Sequence, residues 1–202
     1  NPARILDIGT GTGVIALMLA QRYREAQIDA VEIDTAAAQT AATNFENSPF
    51  SEKLKVFTSD IADFFEDHKQ DKYDLIVSNP PFYINALESP KAKRSLAKDA
   101  NIDFFDRLMK DMACHLSPDG LCWMILPVQT AVFIKDLAKQ NGLYAQKTVT
   151  VHSFEDSEPH RNIVCLGRNN MASETTNLVI YSSNGVYTSA YNALLQPYFI
   201  NF

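Results

Sequence analysis

Four short clusters in this chain carry side chains that could hold a ligand and activate a second one. The first is Asp7, followed by the loop Gly9-Thr10-Gly11-Thr12-Gly13. A glycine loop between a strand and a helix lets backbone approach a nucleotide-like ligand at a helix N-terminus. A phosphate-gripping loop would end in Gly-Lys-Ser/Thr, but Gly13 is followed by Val14. A dinucleotide fingerprint reads Gly-x-Gly-x-x-Gly, and here the third glycine comes one residue early. The spacing suits an adenosyl ligand without a pyrophosphate, whose ammonium group the Asp7 carboxylate could face. The second cluster centres on Glu32, about twenty residues past the loop, where an acid reaches ribose hydroxyls; the competing reading is a solvated strand end. The third is Asp60, which reads either as an acceptor for an adenine amino group or as a helix cap. The fourth is Ser78-Asn79-Pro80-Pro81-Phe82-Tyr83. It combines an amide side chain, an aromatic ring and a backbone carbonyl frozen by two prolines. Prolines have no N–H to give a strand ladder, so the same residues also read as a plain strand stop.

Regular elements must bring these clusters together. The apolar runs 4–8, 29–34, 54–58 and 73–77 read as buried strands, and each runs into one cluster. Helical spacing follows at 14–23, at 36–47 (capped by Asp34 or Thr35) and at 104–116, where Phe105, Leu108, Met109, Met112 and Leu116 form the stripe. Ser117-Pro118-Asp119-Gly120 reads as a turn, 121–126 as a fifth strand and 129–140 as a helix stopped by Asn141-Gly142. Two β-rich runs, 144–153 and 162–168, flank a polar stretch with Pro159-His160-Arg161. A short strand at 177–181, a turn at 182–185 and a helix over 188–198, with Tyr191, Leu194 and Leu195 inward, complete the chain. Alternating strands and helices predict one α/β domain over 1–202, with a mostly parallel sheet finishing in an antiparallel hairpin. In such sheets ligands lie at the carboxyl ends of the strands, where all four clusters fall.

The region 84–101 has little periodicity and holds Lys91, Lys93, Arg94 and Lys98. It reads either as a solvated face or as a phosphate-contacting loop. His160, Arg161 and Arg168 suggest a second basic patch. The net charge of −6 argues against a broadly basic surface, while leaving local nucleic-acid contacts open. With 202 residues, 46% hydrophobic and 21% charged, the composition is that of a globular protein with room for a substantial core. No apolar run approaches the roughly 18–20 residues that span a bilayer, and no signal-peptide pattern is seen. Cys114, Cys122 and Cys165 lack Cys-x-x-Cys spacing, and the four histidines lack metal spacing. No disulfide framework and no metal are therefore expected, and a reducing cytoplasm fits. The chain opens at Asn1-Pro2-Ala3-Arg4 without a methionine, directly before a strand, so a preceding segment is expected to be missing.

Together the clusters resemble the class I S-adenosylmethionine-dependent methyltransferases, among them those with an (Asn/Asp)-Pro-Pro-(Tyr/Phe) motif that methylate conjugated amino nitrogens. The order and surroundings are similar to the bacterial tRNA1(Val) (adenine-37-N6)-methyltransferase family. That likeness rests on Arg4-Ile-Leu-Asp-Ile-Gly, Ala16-Leu-Met-Leu-Ala-Gln-Arg22, Ile28-Asp-Ala-Val-Glu32 and Asn47-Ser-Pro49. It continues through Asp74-Leu-Ile-Val-Ser-Asn-Pro-Pro81, Pro159-His-Arg161 and Tyr187-Thr-Ser-Ala-Tyr-Asn-Ala-Leu194. The resemblance implies a Rossmann-like fold with a mostly parallel seven-stranded sheet, a C-terminal antiparallel hairpin and a short strand–helix extension.

It also implies roles. Asp7, Gly9, Gly11 and Gly13 would cradle the methionine part of S-adenosylmethionine, Glu32 the ribose, and Asp60 with the Ile61 backbone the adenine. Asn79, also counted among the cofactor contacts, would hold the target amine with the Pro80 carbonyl, and Phe82 would stack on the flipped base. Pro81, Tyr83, Lys91, Lys93, Arg94, His160 and Arg161 would contact RNA. A cytoplasmic monomer acting on tRNA is expected. The rivals are an rRNA guanine-N2 methyltransferase, a protein-glutamine N-methyltransferase, a dinucleotide-dependent oxidoreductase and a non-catalytic RNA-binding module. Phe82 disfavours the glutamine enzyme, the glycine spacing and the lack of Tyr-x-x-x-Lys disfavour the oxidoreductase, and an intact Asn-Pro-Pro-Phe disfavours the binding module.

Overall fold

A computed structural model describes residues 1–80 and 91–199, with the backbone alone for residues 91–101. The first half alternates β1 (Arg4–Ile8), α1 (Val14–Arg22), β2 (Gln27–Glu32), α2 (Thr35–Glu46), β3 (Leu54–Thr58), α3 (Ile61–Asp67) and β4 (Tyr73–Ser78). Then come α4 (Lys91–His115), β5 (Leu116–Leu126), α5 (Val128–Gln140), β6 (Tyr144–His152) and β7 (Arg161–Gly167). The chain continues with β8 (Glu174–Val179), β9 (Tyr181–Ser183), β10 (Val186–Tyr187) and α6 (Ser189–Leu195).

Eight strands form one sheet in the order β3-β2-β1-β4-β5-β7-β6-β8. β1 to β5 run parallel, β7 is antiparallel to β5 and β6, and β8 joins β6 in parallel. The strand of the C-terminal extension is thus the eighth member of the main sheet, while β9 and β10 make a separate hairpin. The chain leaves β1 towards β2 and β3, then returns to place β4 on β1's other side. That reversal opens a crevice between the carboxyl ends of β1 and β4.

Alternation along each strand explains why both faces are covered. Ile5 belongs to a core layer with Ala16, Ala20, Ala41 and Phe45 of α1 and α2, whereas Leu6 and Ile8 join Phe64, Phe65, Met109, Met112 and Ile134 of α3 to α5. Alanines on α1 and α2 let those helices lie close to the sheet. Asp34 starts α2 by accepting the Ala37 N–H (2.8 Å). At the opposite edge from the crevice, Arg4 bridges Asp29 and Asp71 (3.0 Å each), and the Tyr73 hydroxyl donates to Asp29 (2.9 Å). These contacts pin β1, β2 and the start of β4 to one another.

Four expectations need correction. α4 begins at Lys91, well before 104. Its apolar stripe begins only at Phe105, and periodicity cannot register the helix before it. Ser117–Gly120 is absorbed into β5 as a bulge: Tyr73 pairs with Leu116 but Leu75 with Leu121, and the Ser117 hydroxyl donates to Asp74 (2.9 Å). Leu194 is 55% exposed, because α6 turns only its Tyr191 side onto Tyr187 (ring centroids 5.1 Å apart). Arg168 lies at the far end of β7 from Arg161, where its guanidinium donates to the Ala113 and Leu116 carbonyls at the end of α4. It is a helix-end contact and no part of a patch with His160. Among the described residues no helix is long and apolar enough to cross a membrane, and no three potential metal ligands cluster.

Candidate functional site

The end of β2 and the glycine loop are built as one unit. The Gly9 and Thr10 amides both donate to the Val31 carbonyl (2.9 and 3.1 Å). The Gly11 amide donates to Glu32 Oε2 (2.8 Å) and the Asp34 amide to Glu32 Oε1 (2.9 Å). Glu32 is therefore held by two backbone donors, and each of its oxygens keeps a lone pair for a further donor. Gly13 enters α1 at φ 86°, and a Cβ there would lie 2.5 Å from the Phe45 ring. Only glycine allows both this left-handed turn and this approach of α1 to α2.

Asp7 is fully buried. Its Oδ2 accepts the Thr10 hydroxyl (2.7 Å), while Oδ1 has no hydrogen-bond partner. Burial pushes this carboxyl up to about 6; the Thr10 hydroxyl and the Ala16 backbone N–H pull it down, and the charge of Glu32 adds to the rise. At the end of β4 the buried Ser78 hydroxyl donates to the Ile8 carbonyl (3.0 Å), locking β4 to β1 across the crevice. Asn79 follows exposed and Pro80 buried. Asp60 caps α3, accepting the Ala62 N–H (2.8 Å) through Oδ1.

A cavity of about 560 Å³ occupies the crevice, with Gly9, Glu32, Asp60, Ile61, Asn79 and Pro80 in its wall. Glu32 is thus more than a solvated strand end, and Asp60 both caps a helix and faces the cavity. Asp7, Gly11 and Gly13 are not in the wall. Asp7 alternates with Ile8 onto the α1 side of the sheet, behind the loop, while the cavity opens towards α3 and α4. His160 and Arg161 also stand outside it. They do share its edge of the sheet, because Leu126, at the carboxyl end of β5, pairs with Asn162. Pro81, Phe82 and Tyr83 lie outside the described residues, as do the side chains of Lys91, Lys93 and Arg94.

Several wall residues had escaped sequence reading: Ile33, Ser59, Phe104 and Leu108. Ile33 left a readable signal, an apolar side chain straight after the acid that ends β2, and it is 66% exposed. Phe104 and Leu108 left none, since they continue the stripe by which α4 packs on the core. Together the wall offers apolar faces for a planar base, a carboxylate for a diol, a second carboxylate beyond it and an amide at the mouth. A volume of this size is typical of sites for small organic ligands.

Known proteins are similar to this chain in sequence and in fold. A family model described as "Methyltransferase small domain" matches residues 1–140. The chain is 47% identical over 200 residues to the tRNA1(Val) (adenine(37)-N6)-methyltransferase of Pedobacter heparinus, covering 99% of this chain and 84% of that one. It is 40% identical to the protein of the same name from Flavobacterium psychrophilum, covering 99% and 85%. Among solved structures, that of a predicted O-methyltransferase, protein Atu636 from Agrobacterium tumefaciens, superposes with a TM-score of 0.73 at 17% identity, covering 96% of this chain and 89% of that one. That likeness concerns the fold alone.

Proposed function

Because this chain belongs to the methyltransferase small-domain family, we propose that it methylates the exocyclic N6 amine of adenine-37 in tRNA1(Val), with S-adenosylmethionine as donor. One observation carries the reading: Asn79 and Pro80, the pair suited to hold an amine, share a single cavity wall with Glu32 and Asp60, the pair suited to hold an adenosyl group. The relatives named for this activity are similar over nearly the whole chain.

The cavity fits the cofactor. Ile8, Val31, Ile33 and Ile61 supply apolar surface for its adenine, and Glu32 is fixed with lone pairs to spare for ribose hydroxyls. Asp60 keeps its second carboxylate oxygen for an amino group, and Asp7, buried behind the loop, supplies a negative charge for the cofactor's ammonium. When bound, S-adenosylmethionine supplies an electrophilic methyl group.

The chain's own residues answer for the nucleophile. The lone pair of an adenine N6 is delocalised into the ring and attacks poorly. The Asn79 amide oxygen and the Pro80 carbonyl accept the two N6–H hydrogen bonds, drawing the nitrogen towards tetrahedral geometry and freeing its lone pair. Positioning and electrostatics do this without a histidine base. The nitrogen turns cationic as it takes the methyl group and then loses a proton to water. The base must leave its stack to reach Asn79, at least cost from an unpaired anticodon loop, and Phe82 would receive it.

The test is transfer of labelled methyl from S-adenosylmethionine to separated tRNAs, followed by digestion to nucleosides. Label in N6-methyladenosine from tRNA1(Val) is expected. Label in N2-methylguanosine, or in protein glutamine, would overturn the reading.

A further inference from the structure

Residues 175–199 contain no charged side chain, in a chain that otherwise carries 18 basic and 24 acidic residues. That segment supplies three rings of a four-ring ladder: Phe154 meets Tyr181 (5.7 Å between centroids), Tyr181 stacks on Tyr187 (5.1 Å, planes 18° apart), and Tyr187 meets Tyr191 (5.1 Å). Rings that only glued the hairpin to the sheet would be covered, yet Phe154 and Tyr187 each remain 37% exposed and Val186 beside them 54%.

Its place in the fold is informative. β6 and β8 run in the same direction as β4, so their carboxyl ends reach the edge where the cavity opens. The register links Ser78 through Met124 and Val164 to Thr148 and Thr175, and both outer strands continue four residues past that level, to His152 and Val179. Phe154 and Tyr181 follow immediately and stand beyond the edge. Sideways, three to four strand spacings separate them from Asn79, roughly 14–19 Å, and about five residues of strand rise add roughly 16 Å along the strands. Glu155, Asp156 and Glu158 share a loop with His160 and Arg161. The region therefore has little net attraction for phosphate; what it presents is uncharged, partly exposed aromatic surface, with Phe154 at the end of the ladder.

We infer that this ladder is a stacking platform for unpaired RNA bases of the loop that carries the methylated adenine. The inference rests on the proposed tRNA activity. Every base has a π-face, so such a platform holds a loop without reading its sequence, and its contribution is insensitive to salt.

The experiment uses the full chain and an unmodified anticodon-arm RNA, with Tyr187→Leu and Phe154→Leu, which keep apolar bulk and remove the ring. Each should weaken arm binding about fivefold or more and raise KM for the arm correspondingly. The kcat, the affinity for S-adenosylhomocysteine and the slope of log affinity against log salt should stay at wild-type values in both variants. The melting temperature should stay so in Phe154→Leu, whereas Tyr187→Leu, which loses two ring contacts, should melt lower. If Tyr187→Leu fails to fold, Phe154→Leu, at the open end of the ladder, decides. Wild-type arm binding by the variants, with tRNA methylation intact, would overturn the platform and leave the activity standing. A flattened salt slope would replace stacking by phosphate contact. Loss of self-association with unchanged RNA affinity would assign the surface to a second copy. A wild-type protein that methylates guanine or glutamine would overturn the activity itself, and the platform with it.

Discussion

Acid should weaken cofactor binding through Asp7. This carboxyl is fully buried, keeps one oxygen without a partner and has a pKa pushed from 3.8 to about 6, chiefly by burial. A carboxyl raised in this way binds its proton more tightly folded than unfolded. Its stabilising effect is complete below the unfolded value and is lost as pH rises through about 6. Ionised Asp7 thus costs the protein about 3 kcal/mol at neutral pH. A ligand ammonium on the cavity side of the glycine loop would offset that cost through its charge, and it needs the charged form. At about pH 5 only about one chain in eleven has Asp7 ionised before binding, against about ten in eleven at pH 7. The Kd for S-adenosylhomocysteine, which keeps the amino group, should therefore be about tenfold weaker at the lower pH. Calorimetric titration in two buffers of different ionisation enthalpy reads both the Kd and the protons released, which should approach one per ligand at the lower pH. Asp7→Asn should bind weakly at every pH from about 5 to 7, with no slope, while its ligand-free form gains about 1–3 kcal/mol of stability at neutral pH. A flat wild-type profile, or a slope that survives in Asp7→Asn, would refute the linkage.

Other substitutions separate the parts of the site. Asn79→Ala should lower turnover at least about a hundredfold while the Kd for S-adenosylhomocysteine stays within several-fold; loss of both, read by calorimetry, would contradict the division between amine-holding and cofactor-holding residues. Gly13→Ala should cost about 2 kcal/mol or more in thermal or denaturant unfolding, because it adds a methyl group 2.5 Å from Phe45 at a positive φ. Reversing Lys91, Lys93 and Arg94 to Glu should weaken tRNA binding and flatten its salt dependence; an unchanged slope would mark that stretch as a solvated face.

The parallel half of the fold was legible because each strand is a continuous apolar run and each ends in residues whose types make sense only at a sheet edge. The wall of the cavity was half legible for the same reason: Glu32, Asp60 and Asn79 are polar side chains that stop apolar runs. Its other half is apolar and carries no mark, since a residue that touches a ligand and one that packs on the core obey the same spacing; Leu108 illustrates this. Asp7 was legible as an acid beside a glycine loop. Which face of the sheet it takes depends on the register of β1, and that emerges only from pairing. The first half of α4 escaped notice because helicity there leaves no apolar stripe. The bulge at Ser117–Gly120 escaped because turn-forming residues inside a strand look like the end of one. Conversely, the Pro159-His160-Arg161 element was found in sequence, and the structure puts it on the same edge as Asn79 without bringing it into the cavity.

The central claim is that Asn79 and Pro80 present one particular amine to the donor. Two tRNA1(Val) transcripts that differ only at position 37, adenine in one and guanine in the other, test it most directly. With labelled S-adenosylmethionine, the adenine transcript should take up close to one methyl per molecule, recovered as N6-methyladenosine, and the guanine transcript none. Equal labelling of both transcripts, or label recovered from any other nucleoside, would contradict it.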